Sequence, residues 1–315
     1  MDSTDEVMAK IKLRAKSGRV LGSPRSVSEE RVAFSEPMQN SKEQFAISED
    51  GPADRTISQA DVAVVTALGS PELDQVLRVF GPSWQKEGRD GVVFNRTTFN
   101  LNGTDISVVA AVQTDMGMVP ATILAVKTMQ AWRPRVLAMT GICAGVKGKV
   151  NLGDVVIGRQ VFDYGSGKLE AGRLTPDYQP VSLDDHMCSI AQDLARARPI
   201  LNSIKESWPQ KTGRPQTELQ LHVGTIASGA AVVADDSVVE GIQEHKRSLH
   251  AIDMEAYGAA RAATSSIIAA KPLIIKGVQD FADEKKSDEF REYSAYVSAK
   301  CLHEFLLRYW PQIDS

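Results

Sequence analysis

From Asp61 onward, apolar residues follow two rhythms that keep exchanging. DVAVVTALG is a continuous apolar run of strand length, the pattern of a parallel strand covered on both faces. In PELDQVLRVFG, by contrast, Leu73, Val76, Leu77 and Phe80 keep helical spacing while Glu72, Asp74 and Arg78 are polar. The exchange then repeats. VVFNRTTFNLNGTDISVVAAVQTDMG predicts strands joined by a turn at Asn102-Gly103, and PATILAVKTMQAWRP predicts a helix with Pro120 in its first turn. RVLAMTGICAGV is a buried strand running into a glycine loop, and NLGDVVIGRQVFDYGSGK is a strand and loop. Residues 183–206 are helical, LHVGTIASGAAVVAD is strand and loop, and VVEGIQEHK is a helix. AIDMEAYGAARAATSS carries a short strand into a helix of small residues, PLIIKGVQDFAD is a last buried strand, and SAYVSAKCLHEFLLRYW is a closing helix. Strands alternating with helices predict an α/β sandwich with a mostly parallel sheet.

Residues 1–58 break the pattern. They are rich in Ser, Glu, Lys and Arg and poor in aromatics, a composition that buries little apolar surface and reads as a disordered or linker-like extension. The domain proper is expected over 59–315. Net charge is -4, against a nucleic-acid binder, which usually carries a basic excess. No apolar run reaches the ~18 residues of a membrane span, and the N-terminus lacks the apolar core of a secretory signal. Cys143, Cys188 and Cys301 are far apart and form no CxxC pair, so neither a zinc site nor a disulfide framework is expected. A cytoplasmic setting fits these features.

In α/β folds, ligands bind beyond the carboxyl ends of the strands. Here those ends carry small residues and one or two polar groups, as in TALGSPE, TGICAG, ASGAA, DMEA and VQDFAD, which points to one shared pocket. Two glycine loops fail as nucleotide fingerprints. DYGSGK has Phe162 where a P-loop needs its first glycine and Leu169 after Lys168, and TGICAG is not GxGxxG. The carboxylates say more. Glu72 follows the first strand, Glu255 opens the small-residue helix and Asp280 ends the last strand, so all three belong on one rim. Carboxylates without metal-ligand spacing suit cleavage at a sugar, where they stabilise an oxocarbenium-like transition state and protonate the leaving group.

Four segments carry a resemblance: MTGICAGVKGKVNLGDVVIG, SGAAVVAD, IDMEAYGAA and GVQDFAD. In order and spacing they resemble the purine nucleoside phosphorylase and methylthioadenosine/S-adenosylhomocysteine nucleosidase superfamily, from Asp61 to the C-terminus. The resemblance implies a three-layer sandwich on a mixed, mostly parallel central sheet. It implies that Met254 packs on a ribose and Glu255 accepts its hydroxyl hydrogens, a task that suits an acceptor-only carboxylate. Gly258 would allow close packing behind them. Asp280 matches the general acid at purine N7, and an aspartate there fits a 6-aminopurine. Glu72 resembles the water-activating glutamate, displaced by one residue at Pro71, whereas Asp283 takes a structural place. The base pocket falls on Ser228, Gly229, Val232 and Val233, with Val232 where the nucleosidases have an aromatic. Thr140, Gly141, Ile142 and Cys143 form the glycine loop. Because Ile142 stands near the position of the phosphorylases' loop hydroxyl, water is favoured over phosphate as nucleophile.

The implied activity is an N-ribosyl hydrolase releasing adenine from an adenine nucleoside or nucleotide. The alternatives are a phosphorylase using phosphate and a non-catalytic purine-binding sensor. The CAG loop and the DYGSGK run are similar to bacterial nucleosidase-like effector modules that act on adenine nucleotides. On that reading Lys168 and Arg135 are the charges available beyond the ribose. No metal or organic cofactor is implied. The family's habit implies a homo-oligomer, at least a dimer, and the N-terminal extension would suit a protein partner.

Overall fold

The computed structural model of the protein describes residues 59–171, 173–210, 212–231, 233, 235–283 and 288–313. The extension expected over 1–58 lies outside them, as does Val232. Strand β1 (Val62–Thr66) leads through a helical turn (Gly69–Leu73) into α1 (Asp74–Val79). Strands β2 (Gln85–Arg89), β3 (Val92–Leu101) and β4 (Thr104–Val112) precede helix α2 (Met118–Trp132). Then come β5 (Val136–Gly145), β6 (Val155–Asp163), the hairpin β7 (Gly167–Glu170) and β8 (Arg173–Pro176), and the short β9 (Val181–Ser182). Helices α3 (Asp185–Arg196) and α4 (Arg198–Glu206) are followed by β10 (Leu221–Ser228), α5 (Asp236–His245) and β11 (Leu249–Asp253). Helix α6 (Ala256–Ser265), β12 (Lys271–Asp280) and α7 (Arg291–Ile313) complete the order.

The continuous apolar run of β1 has a direct cause. Parallel neighbours β4 and β5 flank it, and all five of its residues are buried. Strand β5 pairs in parallel with β12, β12 antiparallel with β6, and β6 in parallel with β10, which is parallel to β11. β11 then returns to β5 through Ala251–Gly145 and Ile252–Ala144, so these five strands close a ring. On the far side of β1 the sheet runs on as the antiparallel meander β4–β3–β2, turning at Asn102 and Gly103, both at positive φ. The sheet is thus mixed, as the resemblance implied, with more antiparallel pairing than the alternation of strands and helices alone predicted.

Two apolar layers sandwich it. One packs β-strand residues against Val76 of α1, Leu201 of α4 and Phe305 of α7. The other packs the opposite face against Trp132 of α2 and the alanines of α6. Residues 183–206 form two helices rather than one: Ala197 leaves the helical region at φ -78 and ψ 68, and Pro199, which has no N–H to continue the first helix, sits in the first turn of the second. Among the described residues, no helix is long and apolar enough to cross a membrane.

Candidate active site

A cavity of about 340 Å³ opens where β1, β5, β11 and β12 end, and Glu72, Glu255 and Asp280 all stand on its wall. Glu72 lies in the helical turn after β1, and its carboxylate folds back on the strand end. Oε2 accepts from the backbone N–H groups of Ala67 at 2.8 Å and Leu68 at 2.9 Å, and Oε1 accepts from Ile142 N at 2.9 Å. Three charge-assisted bonds fix it and leave capacity for one further partner. Gly141 makes room for this. A Cβ there would stand 2.2 Å from Glu72 Oε1, and its φ of +157° disfavours other residues.

Glu255 is placed by helix packing. Buried Ala256, Gly258, Ala259 and Ala260 let α6 approach α2 so closely that a Cβ on Gly258 would stand 2.3 Å from Met118 O. That approach delivers Gly117 N to Glu255 Oε1 at 2.8 Å. Burial pushes the Glu255 carboxyl up to about 7; nearby Lys276 pulls against the rise and Asp253 adds to it. Lys276 is fully buried in β12, 3.1 Å from Asp253 Oδ2. Burial works against its charge, but Asp253, then Glu72 and Glu255, outweigh that and hold the ammonium above its usual range. Asp253 also accepts from Ser228 Oγ at 2.6 Å and from Ala256 N at 3.0 Å, which ties β10, β11 and α6 together beneath the cavity.

Asp280 occupies the last position of β12. Gln279 Nε2 donates to its Oδ2 at 2.9 Å and Ala282 N to its Oδ1 at 3.0 Å, which orients the carboxylate. Ile142, Cys143, Val233 and Met254 line the same cavity. Burial pushes the Cys143 thiol up, so this side chain packs as a small neutral group.

Other residues singled out in the sequence stand elsewhere. Ser228 and Gly229 adjoin the wall without lining it. The Ser228 hydroxyl serves Asp253 and accepts from Tyr257 N at 2.9 Å, and the Tyr164 ring lies over Gly229, where a Cβ would meet it at 2.0 Å. Thr140 is buried in β5 and Gly141 backs Glu72; neither lines the cavity. Lys168 does not reach the cavity: it starts an outward hairpin, 74% exposed, and pairs with Glu170 at 3.2 Å. The physical reason is a turn closed on itself, with Asp163 accepting from Gly165 N at 2.8 Å and Ser166 Oγ at 3.1 Å. Arg135 precedes β5, at the opposite end of the sheet, near Asp61. Asp283 pairs with Lys147 at 3.1 Å, in keeping with a structural place. Sequence reasoning missed Lys276, Gly117 and Arg291, the last of which lines the cavity. The available signal for Lys276 was a lone charge inside the apolar run PLIIKGV.

Residues 61–310 match the phosphorylase superfamily, and the chain belongs to that family. It is 30% identical over 252 residues to the uncharacterized protein y4jS of Sinorhizobium fredii, covering 78% of this chain and 60% of that protein. It is 28% identical over 278 residues to the ATP nucleosidase Cap17 of Escherichia coli, covering 82% of this chain and 53% of that one. The chain therefore spans little more than half the length of these curated relatives. Among solved structures, the futalosine hydrolase of Helicobacter pylori superposes with a TM-score of 0.62 at 18% identity, covering 80% of this chain and 98% of that one. The 5′-methylthioadenosine/S-adenosylhomocysteine nucleosidase of the same organism, with butyl-thio-DADMe-Immucillin-A, gives 0.63 at 18%, covering 79% and 98%. These likenesses establish the sandwich fold with its mixed sheet.

Proposed function

We propose that the chain is a purine N-ribosyl hydrolase that releases adenine from an adenine nucleoside or nucleotide. The observation that carries this reading is the convergence of Glu72, Glu255 and Asp280 on one cavity, each held by different partners. Relatives named ATP nucleosidase and 5′-methylthioadenosine/S-adenosylhomocysteine nucleosidase support it. Asp280 gives a proton to N7 of the base as the C1′–N9 bond breaks and its electron pair passes to the purine. Glu255, ionised, accepts the ribose hydroxyl hydrogens, and Met254 packs on the sugar. Water bound at Glu72 attacks C1′ and gives its proton to that carboxylate. The products are adenine and the free sugar, and exchange with solvent restores both carboxyl groups.

Water rather than phosphate is favoured by what surrounds Glu72. The N–H groups of Ala67, Leu68 and Ile142, the donors that a phosphate would need there, already serve Glu72. Their side chains are apolar. A dianion placed against them would be desolvated without compensation.

Asp280→Asn tests the assignment. The amide keeps the shape but has no proton of suitable acidity, and general acid catalysis contributes about 10²–10⁴-fold. Adenine release from adenosine, methylthioadenosine, AMP and ATP, followed by chromatography, falls by that factor while the melting curve stays cooperative. Full turnover in the variant would remove Asp280 from the mechanism.

A further inference from the structure

We infer that Arg291 is the specificity residue for the 5′ end of the substrate, and that the group it takes is a phosphate. The inference rests on the hydrolase reading. With the base at Asp280, the ribose hydroxyls at Glu255 and water at Glu72, and with Gln279 and Asp253 engaged by Asp280 and Lys276, Asp288 and Arg291 are the polar side chains of the lining left for whatever C5′ carries.

Charge on that wall is uneven. Among the described residues lining the cavity, Arg291 is the one cationic side chain; Asp253 is paired with Lys276 behind the wall, which leaves the carboxyl groups of Glu72, Glu255, Asp280 and Asp288. A cavity so acidic repels a phosphate unless a cation meets it. A thioether, for its part, gives a guanidinium nothing to bind, and desolvating those donors against it would cost free energy. Arg291 is also underused. Its Nη1 lies 3.6 Å from Asp288 Oδ1, beyond hydrogen-bond reach, and its Nε is buried with no partner. The Asp288 side chain is 70% exposed, so this ion pair is weak and readily exchanged. Two parallel N–H···O bonds from a guanidinium to a phosphate are the stronger arrangement. Arg291 is the first residue of α7, a 23-residue helix whose N-terminal dipole favours an anion at the same end. The cation sought in the DYGSGK loop thus stands eleven residues after Asp280 instead.

Calorimetric titration of the full chain with ATP and with adenosine reads this directly. The measurement is made in the Asp280→Asn background, so that the ligand survives. The ratio of the two affinities cancels whatever that change does at the base. Adding Arg291→Gln lowers the ATP-to-adenosine ratio by about tenfold or more, the ~1.4 kcal/mol of a lost charge-assisted contact. Adding Asp288→Asn removes the competing carboxylate and raises the ratio. A ratio unmoved by Arg291→Gln, or lowered by Asp288→Asn, overturns the proposal. Adenine release by the unmutated protein is scored separately. Arg291-dependent ATP binding without any adenine release would sink the hydrolase reading and leave the phosphate contact standing.

Discussion

Glu255 poses a problem at the scale of a single residue, because a carboxylate that must be ionised to hold ribose hydroxyls is buried where burial raises its pKa to about 7. A carboxyl raised in the folded state favours folding while protonated, below its unfolded value near 4.5, and loses that contribution as pH climbs through 7. Glu255→Gln, neutral throughout, is therefore expected to melt several degrees above the unmutated protein at pH 8, in the absence of ligand. The gap should close toward pH 5. Turnover should fall by ~10²-fold or more, since the amide replaces one accepting oxygen with an NH2 that only donates, and loses the negative charge. Differential scanning calorimetry across that pH range checks the first part; a melting gap independent of pH would show that Glu255 is not the titrating group. Met254, Glu255 and Asp280 were legible in sequence because each sits in a motif. Lys276 was not, since its partner Asp253 is 23 residues away in sequence and meets it through the closure of β11 onto β5. Lys168 was misleading for the complementary reason: a lysine beside glycines looks like an anion loop, and only the turn held by Asp163 sends it outward.

Among the elements, α6 and α2 do the positioning. The glycine inside α6 weakens an isolated helix, yet the contact it permits brings Gly117 N onto Glu255. Gly258→Ala must shift Met118 O or the helix itself, an overpacking cost of about 1–3 kcal/mol. Gly241→Ala is the control. It lies in α5 with nothing within 4 Å of the added Cβ, and the change is expected to be neutral or to stabilise by up to about 1 kcal/mol. Denaturant melts should therefore show a loss of stability for Gly258→Ala and none for Gly241→Ala, and KM should rise only for Gly258→Ala. If both behaved alike, the α2–α6 approach would not be what sets the position of Glu255. Most elements could be read from periodicity, because β1, β5 and β12 are covered on both faces and α1 on one. The β7–β8 hairpin, with exposed Leu169 and Leu174, lacks that imprint, and so does the break at Ala197.

For the molecule as a whole, the pairing that matters most was the least legible. The ring β5–β12–β6–β10–β11 depends on contacts such as Ile252 with Ala144, far apart in the chain and without a local signal. It is this ring that gathers the ends of β5, β11 and β12 around one cavity, while the extension β1–β4–β3–β2 contributes Glu72 from the other side. The central claim, that this cavity lets water cleave an N-glycosidic bond to adenine, meets its most direct test in one assay. The purified full chain is incubated with adenosine, methylthioadenosine, AMP and ATP in phosphate-free buffer and again with added phosphate, and adenine and the sugar product are both quantified. Adenine at equal rates in the two buffers, with free sugar and no ribose 1-phosphate, is the predicted result. Adenine that forms only with phosphate, accompanied by ribose 1-phosphate, or no adenine from any substrate, would contradict the account.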